Sequence, residues 1–224
     1  MHGDVICWCF IRYSACEWPA EKGINTLAKA EVFTISRYQD RAGLARLPAG
    51  SRVLELGCGW GSLSLTNAKR FPHLHFVSFS NSPPQIEFIR RTATERGLTN
   101  LDLYVEDYAL FADPTSSTVA PAGSELFDAA MAIETIEHAQ NINVLLSAIA
   151  RRLRVGGTLF VHSLLHQSAS FFLDNNSWMG RNFFTGGSIL SLNSYFHLAP
   201  PELYLKEVVP VNGKVRRTKS PDII

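Results

Sequence analysis

No run of apolar residues in this 224-residue chain approaches the ~20 that a bilayer-spanning helix needs, so stable membrane insertion is not expected. The opening, "MHGDVICWCFIRYSAC", has a short apolar patch but no basic stretch before it and no clear small-residue cleavage site. It does not read as a signal peptide. No stop-transfer or prenylation pattern is present. A charge surplus of either sign is also missing. The 21 Lys and Arg against 20 Asp and Glu leave +1, without long charged runs. That argues against nucleic acid or another polyelectrolyte as partner. Cysteines are few. Cys7, Cys9 and Cys16 crowd the start and Cys58 stands alone. Their spacing fits neither zinc-ligand patterns nor a disulfide framework, so no metal site is expected. Reduced thiols and a cytoplasmic location follow as expectations.

What is present is apolar: 46% of the residues are hydrophobic, enough to bury a substantial core in one domain spanning 1–224. Residues 24–46 have helical periodicity, with Leu27, Val32, Ile35 and Leu44 among the apolar positions and Pro48-Ala49-Gly50 as the stop. Strands and helices then alternate. "RVLEL" (52–56), "LHFVSFS" (74–80), "LDLYV" (101–105), "FDAAMAI" (127–133) and "GTLFVHS" (157–163) read as strands. Helices are predicted over about 62–70, over 83–97 with proline at the start and Gly97 at the end, and over 141–153. The Pro-, Ser-, Thr- and Ala-rich stretch 112–125 reads as a surface loop. Continuous apolar strands alternating with helices predict an α/β domain, a mostly parallel sheet covered on both faces. Such sheets bind ligands beyond the C-terminal ends of their strands.

Two strand ends carry unusual chemistry. After the first comes "LELGCGWGSL" (54–63), with Gly57, Gly59 and Gly61 at alternate positions. Glycine there permits a tight turn and close backbone approach to a ligand. A dinucleotide fingerprint would place glycine where Ser62 stands, and Glu55 beside the loop would repel a pyrophosphate. An acid in that place suits a ligand with a cationic end. The fourth strand ends in "MAIETIEH" (131–138), where Glu134, Glu137 and His138 follow the apolar run. Acids at a helix start would be favoured by its dipole, which could account for Glu134 alone.

"VLELGCGWG" resembles the first motif of the class I S-adenosylmethionine-dependent methyltransferases. "FSNSPPQIEFI" (79–89) resembles the "TNSxxQxxFI" segment of their cyclopropane-fatty-acid-synthase-like branch, and "FDAAMAIETIEH" its "FDxxxSIExFEH". "LFVHSLLHQ" (159–167) and "SWMGRNFFTGG" (177–187) look most like plant coclaurine N-methyltransferases and their relatives, as does "RYSACEWPAEKGINTLAKAE" (12–31). The blocks occur in family order from about Tyr13 to Lys214.

The resemblance implies a Rossmann-like class I methyltransferase fold with three stretches. Residues 1–50 would form a helical segment over the cofactor, 51–163 the nucleotide-binding core, and 164–224 a partial substrate lid with a C-terminal strand. It implies S-adenosylmethionine as cofactor. Tyr13 and Ser14 would close over its methionine end, and Gly57, Gly59 and Gly61 would lie along its carboxypropyl chain and ribose. Asn81 and Gln85 would hold the ribose hydroxyls, and Asp107 the adenine amino group. Glu137 and His138 match the pair that binds and deprotonates a substrate amine, with Glu134 as an accessory carboxylate. His162 matches a histidine that joins Glu137 in bicarbonate binding by the cyclopropane synthases. Trp178, Phe183 and Phe184 would supply aromatic faces for a cationic or aromatic substrate.

Two departures favour amine over lipid chemistry. Ala15 stands where the cyclopropane synthases carry cysteine, and "FFTGG" replaces their "FPNG". Relative to the family the chain is expected to be truncated at both ends. Three readings stand at this level: methyl transfer to the nitrogen of a small amine such as a benzylisoquinoline-type alkaloid, methylation or cyclopropanation of a lipid, and a silent cofactor-binding protein.

Overall fold

A computed structural model of the chain describes residues 16–19, 22–182 and 186–211. The five apolar segments form a parallel sheet of β1 (Arg52–Leu56), β2 (His75–Ser80), β3 (Leu101–Val105), β4 (Phe127–Ile133) and β5 (Leu153–His162). Their order is β3-β2-β1-β4-β5. The order turns back between β1 and β4, so the chain places a switch point, and with it a crevice, at the ends of those two strands.

Strand alternation sorts the core into two layers. Val53, Phe76, Ala129 and Met131 face α1 (Leu27–Ala42) and α2 (Ser62–Arg70), meeting Ile35, Tyr38 and Ala68. Leu54, Leu56, Val77, Phe79, Ala130 and Ala132 face the other way, against Phe111 of α4 (Tyr108–Ala112) and Leu145, Leu146 and Ile149 of α5 (Ile142–Arg152). α3 (Pro83–Glu95) packs Ile86 and Ile89 against Cys58 and Leu65 at the glycine loop. Each fully buried Phe, Leu or Ile contributes about 1.5–3 kcal/mol. A small cap follows. It comprises β6 (Leu165–His166), β7 (Phe171–Phe172), α6 (Trp178–Asn182), β8 (Ser188–Ser191) and α7 (Leu192–Leu198), with strands ordered β6-β8-β7. Leu190, Tyr195 and Leu198 join the core cluster of Ile136 and Ala139, and Asn143 Nδ2 donates to the Leu198 carbonyl at 2.8 Å. No helix among the described residues is long and apolar enough to cross a membrane.

Three boundaries differ from expectation. The helix expected to reach residue 46 ends at Ala42, because Gly43 adopts a left-handed φ of 72° and its N–H caps Asp40 and Gln39; a short 3-10 turn, Leu44–Arg46, follows. The fifth strand begins at Leu153, directly after α5, and a register shift opposite Phe127 and Ala129 takes up Gly156 at φ 83°. The helix expected to end at Gly97 gives way at Arg96, after Glu95.

Candidate active site

The ends of β1 and β4 open into a cavity of about 930 Å³. On the β1 side the chain turns through Gly57, Gly59 and Gly61, at φ 63°, 53° and 82°. Two of them have no room for a side chain. A Cβ on Gly57 would collide with Thr135 Oγ1 and the Tyr108 hydroxyl, and one on Gly61 would lie 2.6 Å from Ile89 Cγ1. Gly59 differs: nothing lies within 4 Å of where its Cβ would stand, and it lines the cavity. Its backbone is therefore open to close approach. The loop is pinned to β2 by Cys58 N–H donating to the Phe79 carbonyl at 3.0 Å.

Glu55 lies beneath this loop, 4% exposed, on the face covered by α2. Its Oε2 accepts from Ser64 Oγ at 2.7 Å and Ser78 Oγ at 3.0 Å. Burial pushes its carboxyl up to about 7, and the two hydroxyls only partly offset that. At the end of β2, Ser80 Oγ donates to Gln85 Oε1 at 2.7 Å, leaving the amide nitrogen of Gln85 as a donor in the cavity wall beside Asn81. Asp107 also lines the wall, and one of its oxygens caps α4 by accepting from Leu110 N–H at 2.8 Å.

The β4 side holds the acids. Its last ladder residue, Ile133, pairs with His162, and the chain then bends at Glu134, the one described non-glycine residue with positive φ (47°). The Glu134 N–H donates to the His162 carbonyl at 2.7 Å, and its Oε1 lies 3.3 Å from His162 Nδ1. A single 3-10 turn, Ile136–His138, then carries Glu137 and His138 to the wall. Glu134 precedes a three-residue turn with almost no macrodipole, so a charge at a helix start does not account for it.

Glu137 is 2% exposed. Its Oε1 accepts from Ser163 Oγ at 2.7 Å and from Leu164 N–H at 2.6 Å, whereas Oε2 is buried with no hydrogen-bond partner. Burial raises its pKa, with a smaller upward push from the Glu134 charge; the hydroxyl and backbone donors act against both. His138 presents part of its ring to solvent, and the packed part lowers its pKa, so the ring is neutral at pH 7.

The cavity thus gathers Glu55, Gly57, Gly59, Asn81, Gln85, Asp107, Glu134, Glu137 and His138. Gly61 stands just behind it against Ile89. Two expected substrate contacts lie elsewhere. His162 sits behind Glu134 with its ring 5.0 Å from that of Tyr38, because the last residue of β5 turns its side chain toward α1. Trp178, 60% exposed on α6, is not among the residues that line the cavity. His166 serves a local turn, its Nδ1 accepting from Ala169 N–H at 3.0 Å. Tyr13, Ser14, Phe183 and Phe184 lie outside the described residues. Sequence reasoning missed Tyr108, Thr135, Ser163 and Tyr195. The first two hydroxyls bond to each other against Gly57, and the last two stand behind Glu137. None belongs to a local motif; only tertiary contact brings them in.

Sign of charge is the site's clearest property. The described cavity wall contains Glu55, Glu106, Asp107, Glu134 and Glu137 and no Lys or Arg. Of these, Glu106 is fully engaged, accepting from Ser117 Oγ, Thr118 Oγ1 and the N–H groups of Thr118 and Val119.

A family profile described as a methyltransferase domain matches residues 32–199, which include both strand ends and the cap. The chain belongs to that family. This methyltransferase domain is 30% identical over 190 residues to (S)-coclaurine N-methyltransferase of Papaver somniferum, covering 84% of this chain and 49% of that protein. The crystal structure of a coclaurine N-methyltransferase bound to N-methylheliamine and S-adenosylhomocysteine superposes with a TM-score of 0.68 at 25% identity, covering 84% of this chain and 52% of that one. The mycolic acid cyclopropane synthase CmaA1 shares the fold, with a TM-score of 0.63 at 17% identity over 84% of this chain and 64% of that one. The chain spans about half the length of the curated relatives it matches. The cofactor of this methyltransferase family is S-adenosylmethionine, and the residues here fit it. The open backbone at Gly59 gives room for a chain laid along the loop. An acidic wall without cations suits a ligand that carries a sulfonium and an ammonium.

Proposed function

We propose that this methyltransferase domain transfers a methyl group from S-adenosylmethionine to the nitrogen of a small secondary or tertiary amine bearing no acidic group, a benzylisoquinoline-type alkaloid being one such amine. The observation that carries this reading is Glu137 Oε2, a buried acceptor without a partner in a wall without cations. An unsatisfied buried acceptor costs about 1–3 kcal/mol, more if charged, and an amine N–H would satisfy it.

The bound cofactor supplies an electrophilic methyl carbon. Everything else falls to the protein. A free alkyl amine is mostly protonated at neutral pH, with a pKa near ~10 by analogy with lysine, and in that form it has no lone pair to attack with. Glu137 and Glu134 hold the ammonium form in a desolvated site. His138, kept neutral by its partial burial, takes the proton, and its exposed edge passes it to water. Gly57 and Gly61 fix the loop, and Gln85 and Asn81 set donors at the β2 end. The protein's contribution is orientation, charge complementarity and exclusion of water, which suffice for an in-line displacement.

An anionic lipid would find no Lys or Arg in the same wall to pair with and five carboxylates to repel it, which supports the amine over the lipid reading. The test is tritiated methyl transfer to a panel of cyclic amines, to the same amines carrying a carboxylate, and to an unsaturated phospholipid. Transfer to the plain amines alone is expected. Transfer to the phospholipid, or equal rates on the carboxylated amines, contradicts the proposal. Cofactor binding without turnover on any acceptor favours a silent binding protein.

A further inference from the structure

Behind Glu137 the chain builds a relay of hydroxyls that the acid's own turn does not require. Ser163 follows the last residue of β5, and Tyr195 sits on α7, 32 residues later. Ser163 Oγ donates to Glu137 Oε1 at 2.7 Å and lies 2.9 Å from the Tyr195 hydroxyl. With the serine proton committed to the carboxylate, the Tyr195 O–H is the donor of the second bond. Leu164 N–H occupies the remaining direction on Oε1 at 2.6 Å. One carboxylate oxygen is thus saturated by two adjacent residues of the segment that follows β5, and the other has no hydrogen-bond partner. The Tyr195 hydroxyl is not a general base: burial pushes its pKa up, so it stays protonated and remains a donor.

We propose that Tyr195, acting through Ser163, is a positioning residue for Glu137: the relay pins Oε1 and so presents Oε2, and only Oε2, to the substrate amine. This rests on the amine reading for its substrate but not for its geometry. It makes the cap part of the site, because Tyr195 reaches Glu137 only while α7 is docked on α5 through Asn143 and Leu198. The relay also acts on charge. Two donors on Oε1 favour the ionised carboxylate and oppose the effect of burial. The groups that face Glu137 from neighbouring elements are Glu134 at the end of β4, Tyr108 on α4, Tyr195 on α7 and, in its own turn, His138. Of these, Glu134 raises the carboxyl's proton affinity, and Tyr195 reaches the carboxylate only through the Ser163 hydroxyl.

The experiment is a pH titration of the Glu137 carboxyl by carbon-13 NMR on protein labelled at glutamate carboxyls, the signal assigned by its loss in Glu137→Gln. It is run on wild type, Tyr195→Phe, Ser163→Ala and Ser163→Thr. Phe keeps the ring and its packing, so only the hydroxyl is removed. The midpoint is expected to rise by roughly half a unit to one unit in Tyr195→Phe, and further in Ser163→Ala. It should return toward wild type in Ser163→Thr, which restores the hydroxyl. A Glu137 midpoint that is unmoved in both Tyr195→Phe and Ser163→Ala overturns the relay. Methyl transfer is measured on the same variants. In Tyr195→Phe the acid limb of the kcat/KM profile should move up with the NMR midpoint, with kcat falling more than KM rises. If the midpoint moves as expected but wild type methylates no amine, the relay stands and the amine reading fails.

Discussion

The N–H of Glu134 donates to the carbonyl of His162 across 2.7 Å, one step beyond the last ladder pair of β4 and β5. That bond holds Glu134 in a left-handed conformation, φ 47°, which an L-residue adopts at a cost of order 1–3 kcal/mol. The bend turns a buried strand into a cavity rim. Glu134→Gly removes the strain together with the carboxylate. Its unfolding free energy is expected to stay within ~1 kcal/mol of wild type, while amine turnover drops. Glu134→Val, β-branched in the same conformation, should lose ~1–2 kcal/mol more. Urea denaturation of the two variants checks this, and equal stabilities would contradict the strain.

The glycine loop separates packing from binding. Gly57→Ala forces a methyl into Thr135 and Tyr108 and is expected to cost ~2–4 kcal/mol of stability. Gly59→Ala meets no atom within 4 Å and carries only the backbone penalty, ~1 kcal/mol, yet its methyl stands beside the cavity. Calorimetry should show cofactor affinity falling at least tenfold in Gly59→Ala while the fold survives. Unchanged affinity in that variant would remove the proposed path of the cofactor along the loop.

In the proposed site Glu55 would couple cofactor binding to protons. Its folded value, about 7, lies above the ordinary 4.5. The raised value means that its contribution to stability is complete below about pH 4.5 and is lost as pH rises through 7. Over that window wild type should lose roughly 3 kcal/mol more than Glu55→Gln. A cation brought near the carboxyl reverses the shift and expels its proton. Near pH 7, S-adenosylmethionine binding should therefore release a fraction of a proton, read from calorimetry in buffers of different ionisation enthalpy. Glu55→Gln should abolish that release; undiminished release in that variant places the proton elsewhere.

Glu106 fastens residues 117–119 to the end of β3 by four hydrogen bonds. Glu106→Ala leaves the Thr118 and Val119 N–H groups without their acceptor, at an expected cost of about 2–4 kcal/mol. Limited proteolysis should find a new cut within residues 113–120. A wild-type digestion pattern would show that the loop is held by something else.

The sequence announced the parts of the fold that depend on local periodicity. The apolar runs ending at Leu56 and Ile133 became β1 and β4 with the expected C-terminal residues, and Pro83 began α3. Residues 112–125 hold no strand or helix beyond Ala112, but they are not wholly a surface loop: Ser117, Val119 and Ala120 are buried, the last two in the core against α5. What escaped was short or tertiary. α4 is five residues long, too brief for periodicity to register, so nothing local marks Asp107 as its cap. The cap strands β6 and β7 have two residues each. His162 was legible as a strand end, but which way its ring turned depended on Tyr38, 124 positions away and packed 5.0 Å from it. Ser163 and Tyr195 carry no motif at all. They matter only because α7 folds back over the end of β5.

In the proposed reaction Glu137 and His138 handle an amine nitrogen beside a sulfonium. The most direct measurement is the initial rate of tritiated methyl transfer to a cyclic secondary amine by wild type and by the Glu137→Ala, His138→Ala double variant. Cofactor binding by both proteins is verified calorimetrically. Intact cofactor binding is expected, with a rate reduced by at least ~100-fold, the usual scale for losing general base catalysis. A double variant that binds cofactor and transfers methyl at the wild-type rate would contradict it.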